Sequence, residues 1–164
     1  MLRVLRNFAA LLVGMLVGSL LNMGVVMVNL SLLFPVPEGF DFNDVQQMAA
    51  YTQTLPALAF VVTIVAHSLQ AFVGGWVAAR LGASRPLVLA GAIGAITVAA
   101  SIYNLAWLPA PDWMWVEVPL LVVLSWRAGL MEQTRRAALE VARPEAGSDA
   151  GHSHSHSHDH DHSH

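Results

Sequence analysis

Four apolar runs, separated by short stretches that carry most of the charge, leave this chain few ways to fold. They cover about Phe8 to Phe34, Leu55 to Ala79, Pro86 to Leu108 and Trp113 to Met131. Each reaches or approaches the ~20 residues that an α-helix needs to cross a ~30 Å hydrocarbon core. The reading is an all-α, polytopic membrane protein: a bundle of four transmembrane helices over residues 1–131, followed by a polar tail over 132–164. Composition agrees. The chain is 55% hydrophobic and 12% charged, where a soluble domain carries about 25% charged residues.

The first run is longer than needed and can tilt. Arg3 and Arg6 ahead of it resemble a signal peptide, but the run is too long for one and lacks a clean cleavage site, so it reads as a retained helix. The fourth run is the shortest and most interrupted, with Glu117 and Pro119 near its start and Arg127 near its end. Those charges can snorkel to the two interfaces; an interfacial or re-entrant segment is the alternative. All eight basic residues are arginines, and four spans put them on one side: Arg3, Arg6, Arg80, Arg85, Arg127, Arg135, Arg136 and Arg143. The opposite side receives Glu38, Asp41, Asp44, Asp112 and Glu117. The positive-inside rule then predicts an inner-membrane protein with both termini in the cytoplasm.

The first outer loop, about Pro35 to Thr54, is the only one long enough for structure of its own. Asn43 is placed to cap a short helix there, with Asp44 in its first turn. Val45, Met48 and Ala49 would give that helix an apolar stripe against the interface. The tail ends in alternating histidines, His152, His154, His156, His158, His160, His162 and His164, mixed with Ser and Asp. Imidazole binds Zn, Ni and Cu well, so this stretch is a candidate for buffering or sensing divalent metal ions. A fixed zinc site needs four ligands of defined geometry, which a low-complexity tail does not offer.

Polar residues inside the spans are the other candidates. His67 lies at the middle of the second run with Gln70 one turn on, and Asn22 and Thr97 fall near the same depth. This intramembrane cluster reads either as a titrating site centred on His67 or as a neutral histidine bonded to Asn22 or Thr97 to hold helices together. No deep Asp or Glu is evident, and His67 is expected to lack an acidic partner. Asn29 and Asn104 form a second polar layer. Gly14 and Gly18 of the first run, Gly74 and Gly75 of the second, and Gly91 and Gly94 of the third point to close helix packing.

No nucleophile–base pair, phosphate loop or paired carboxylates are present, which argues against an enzyme, and no cofactor is implied beyond Zn, Ni or Cu on the tail. The absence of lysine and of any basic stripe argues against nucleic acid as a partner. The expected partners are the lipid bilayer, divalent metal ions, and a second membrane protein or another copy of the chain.

One stretch carries a resemblance. Pro37-Glu38-Gly39, Asp41, Asp44, Tyr51 and Leu55-Pro56 precede His67, Gly74-Gly75 and Ala78-Ala79-Arg80; Asn104, Pro109, Pro111 and Trp113 follow. Over residues 1–131 the chain resembles a group of small uncharacterised bacterial inner-membrane proteins, a group with no assigned activity. The resemblance implies fold and not function. In size the chain is also similar to small multidrug carriers, but the acidic residue those need in the first span is missing. The function expected from sequence is that of an accessory or structural subunit or a homo-oligomer. The alternative is a small transporter or metal-handling protein.

Overall fold

A computed structural model of the chain describes residues 1–108 and 110–143. The histidine-rich stretch, with its metal-binding expectation, lies outside the described residues. Among those described, every regular element is helical. Four helices are long and apolar enough to cross a membrane: α1 (Leu2–Leu33), α3 (Ala57–Leu81), α4 (Pro86–Trp107) and α5 (Asp112–Val141). A short helix, α2 (Val45–Thr54), lies in the loop between α1 and α3. Below, the side of the bundle carrying this loop is the loop face, and the opposite side is the arginine face.

The bundle is built with small residues inside and large ones outside. Ala66, Ala71, Ala78, Ala79, Ala90 and Ala128 are fully buried, whereas Leu12, Leu16 and Leu20 of α1 are each more than half exposed. Lipid is as apolar as leucine, so helices in a bilayer gain little by burying leucine and more by bringing backbones close. At Gly14 an added Cβ would stand 2.5 Å from the Gly74 carbonyl oxygen, and at Gly18 it would stand 2.9 Å from the Gln70 carbonyl. The Gly14–Gly18 pair is therefore used within the chain, where α1 crosses α3.

That crossing coincides with a local change in α3, which widens to a π-helical turn over Gln70–Gly74. A second π turn, Asn29–Leu33, ends α1. Such turns are rare and recur at functional positions because they re-aim side chains relative to the helix on either side. The fourth span starts as a 3₁₀ turn, Asp112–Val116, before the α-helix Glu117–Val141.

The arginine face is tied by polar contacts. Asn7 accepts from the Ala83 and Ser84 amides and donates to Ser84 Oγ, fixing the α3–α4 turn onto α1. Arg85 takes a left-handed conformation (φ 51°) just before Pro86, the first residue of α4. Glu132, 1% exposed, accepts from Arg135 and Arg136 and lies 3.7 Å from Arg80. Arg136 also donates to the Ala79 and Gly82 carbonyls, joining the far end of α5 to the end of α3.

On the loop face the cap of α2 differs from expectation by one residue. Asp44, not Asn43, is the N-cap: its Oδ1 accepts from the Gln46 and Gln47 amides. Asn43 instead turns back to Asp41, its amide N–H and side-chain Nδ2 both donating to Asp41 Oδ1. The expected stripe is divided as well, because Val45 is 62% exposed while Met48 faces inward.

Two outcomes follow. Gly14→Val forces apart the α1–α3 crossing, and overpacking of this kind costs about 1–3 kcal/mol. Its melting temperature in detergent should fall well below that of Gly91→Val, where a Cβ meets nothing within 4 Å; equal melting would show that the crossing is not close-packed. Backbone hydrogen bonds from Gln47 and then Gln46 hold the Asp44 carboxyl below its ordinary value of 3.8. A lowered folded-state pKa stabilises above the unfolded value and is lost as pH falls through the folded one. The Gln46 and Gln47 amide resonances should therefore shift together as pH drops below 3.8, and should not do so in Asp44→Asn.

Candidate functional site

The loop-face half of the bundle holds a partly open cavity of about 230 Å³. Its floor lies at the level of His67, which is ten residues into α3 and so about 15 Å below the start of that helix. The walls come from α1 (Val26, Asn29, Leu30), α3 (Ala59, Phe60, Thr63) and α4 (Ser101, Asn104, Leu105). Met48, Tyr51 and Thr52 of α2 roof it, with Met114 and Glu117 of α5 closing the side.

The floor holds a feature the sequence reading missed. Glu117, assigned there to the outer rim, is 1% exposed and faces into the bundle. His67 Nδ1 lies 2.5 Å from Glu117 Oε1, and Ser101 Oγ donates to the same oxygen at 2.6 Å. The expectation that His67 has no acidic partner is thus overturned, as is the absence of a deep carboxyl group. Two causes place Glu117 there. The 3₁₀ turn ahead of it rises about 2.0 Å per residue against 1.5 Å for an α-helix, carrying Glu117 about 10 Å below the start of α5. Helical phase does the rest, because Glu117, Leu121, Ser125, Ala128 and Gly129 form the buried face of α5. That face was legible in the spacing of the small residues Ser125, Ala128 and Gly129. Continuing it two turns back, through Leu121, would have pointed Glu117 inward.

With the proton assigned to Nδ1, Glu117 Oε1 receives two donors, the arrangement expected around a carboxylate. Its other oxygen, Oε2, is buried without a hydrogen-bond partner among the described residues. Asn29 repeats the pattern nearer the loop face: Nδ2 donates to the Ala59 carbonyl at 3.1 Å while Oδ1 is buried and unpartnered. Tyr51 donates to the Phe34 carbonyl, and burial pushes its phenol above the ordinary range, so that it keeps its proton.

The predicted cluster of Asn22, His67, Gln70 and Thr97 is not joined by hydrogen bonds among the described residues. Thr97 donates to the Ile93 carbonyl of its own helix. Gln70 packs against Gly18 at the π turn. Asn22 is half-buried with its Oδ1 unpartnered. The predicted second layer does converge, since Asn29 and Asn104 line the same cavity as His67. Among the described residues no group of three His, Cys, Asp or Glu is placed to hold a metal ion.

Breaking one side of a buried pair leaves the other stranded, at a cost of about 3–5 kcal/mol. His67→Ala and Glu117→Ala should each lower stability strongly, while the double variant should lose about 1–3 kcal/mol less than their sum. A double-mutant cycle of unfolding in detergent measures this, and additivity would mean that the two groups do not interact.

Compared with known proteins, the chain matches no family model, no curated protein and no solved structure.

Proposed function

We propose that this chain is a non-enzymatic integral protein of the bacterial inner membrane that holds a small ligand within the bilayer, on its non-cytoplasmic side. His67 and Glu117 anchor the ligand, and the loop helix α2 covers it. The observation that carries the reading is the hydrogen-bonded imidazole–carboxyl pair at the floor of a mostly apolar cavity. Ionisable groups at membrane depth are expensive to bury and mark ligand or ion paths. A mostly apolar pocket with a few convergent polar groups is the usual form of a small-molecule site. The eight arginines support cytoplasmic termini, and with them an outward-facing cavity.

This reading favours the transporter side of the sequence expectations over a purely structural subunit, with the cavity rather than the histidine tail as the operative part. The arginine face supports a binding or presenting role in this conformation. There, Glu132 and its arginines tie α3 to α5 across the cytoplasmic end, so passage through the protein would require that cluster to part.

The test is native mass spectrometry of protein purified gently from its own membrane. Wild type should carry a small-molecule adduct distinct from lipid. Thr63→Trp, which fills the cavity beside His67, should lack it while retaining the wild-type elution profile. The same adduct on both proteins, or none on wild type, would contradict the reading.

A further inference from the structure

The cavity's buried donors and acceptors are not balanced. Each hydroxyl on its lining already donates to the protein: Thr63 to the Ala59 carbonyl, Thr52 to the Met48 carbonyl, Ser101 to Glu117 and Tyr51 to the Phe34 carbonyl. The Asn29 amide donates to Ala59. Asn104, exposed on the lining, offers both an amide donor and an acceptor; the buried groups left over accept. Among the described residues, Glu117 Oε2 and Asn29 Oδ1 are buried, unpartnered and carried by residues that line the cavity. When His67 holds its proton on Nδ1, Nε2 adds a third acceptor. Among the described residues the lining contains no lysine or arginine.

A buried acceptor without a donor costs about 1–3 kcal/mol, and a charged one costs more. A ligand with hydrogen-bond donors and a positive charge removes that cost; one with only acceptors, or with negative charge, adds to it. The remaining walls are apolar (Val26, Leu30, Leu55, Phe60, Leu105), and a bare inorganic cation would leave them unfilled. The Phe60 ring, 8% exposed and set edge-to-face with Trp113, adds an aromatic surface of the kind that cations favour. At about 230 Å³, the space suits a compound of roughly eight non-hydrogen atoms, given ~30 Å³ for a water-sized group in a liquid.

We infer that the ligand is a small organic amine, bound as its ammonium ion, with the charged head on Glu117 Oε2 and the hydrocarbon body between α1 and α4. This rests on the ligand-binding reading above and narrows it to one chemical class.

The experiment uses the full chain in lipid nanodiscs and isothermal titration with three isosteres: cyclohexylmethylamine, cyclohexylmethanol and cyclohexanecarboxylate. Thr63→Trp discs, whose cavity is filled while the His67–Glu117 pair is kept, supply the background for partition into lipid. Saturable binding of the amine above this background, at least tenfold tighter than either isostere and weakened at least tenfold by Glu117→Gln, is the expected result. If the alcohol or the carboxylate binds as tightly as the amine, the amine assignment is wrong although a ligand cavity remains. If the amine binds but Glu117→Gln leaves it unchanged, the assigned head-group position is wrong. If none of the three binds above background, the amine assignment falls; with an adduct still present on the purified protein, the general reading stands without it.

Discussion

A carboxyl group and an imidazole placed in hydrocarbon must each find a partner or be driven out of it, and here they find each other. Glu117 enters the bundle from α5, His67 from α3, and Ser101 from α4 completes the contact. Three helices are thereby held in one axial register, since sliding any of them by a single turn, about 5.4 Å, would strand a buried polar group. The α1–α3 crossing serves that arrangement from the other side. By letting α1 approach through Gly14 and Gly18, it positions Asn29 against the first turn of α3 and closes the cavity wall.

The two ends of the bundle solve the same electrostatic problem differently. At the arginine face Glu132 is buried, yet Oε1 accepts two hydrogen bonds and Oε2 one, with Arg80 3.7 Å from Oε2, so both of its oxygens are satisfied. At the floor of the cavity Glu117 has donors on one oxygen only among the described residues. A saturated carboxylate locks helices; a half-satisfied one is free to take a further donor. That contrast within one helix is why the loop-face site reads as functional and the arginine-face cluster as structural.

Much of the fold was legible in the sequence because its signals are long and local. The four apolar runs, the proline at the start of α4 and the glycines at the α1–α3 crossing each mark their own position. What escaped depended on geometry beyond the single segment. Glu117 looked like a rim charge because counting residues from a span boundary assumes α-helical rise, and the 3₁₀ turn over Asp112–Val116 breaks that assumption. His67 could be recognised as a candidate, but not its partner fifty positions away. The N-cap shifted from Asn43 to Asp44 because Asn43 is engaged with Asp41. Asn22, Gln70 and Thr97 shared a predicted depth with His67, but depth alone does not decide which way a side chain faces.

The account turns on the contact between His67 and Glu117, and a direct measurement of that contact tests it best. In a chain ending before His152, His67 is the sole imidazole. Solid-state NMR dipolar recoupling between ring ¹⁵N and glutamate side-chain carboxyl ¹³C, in lipid bilayers, then reports on His67 alone. Strong dephasing that disappears in Glu117→Gln is the predicted result, as expected for a nitrogen 2.5 Å from a carboxyl oxygen. Absence of dephasing in the unsubstituted chain would place Glu117 away from His67 and remove the basis for the site.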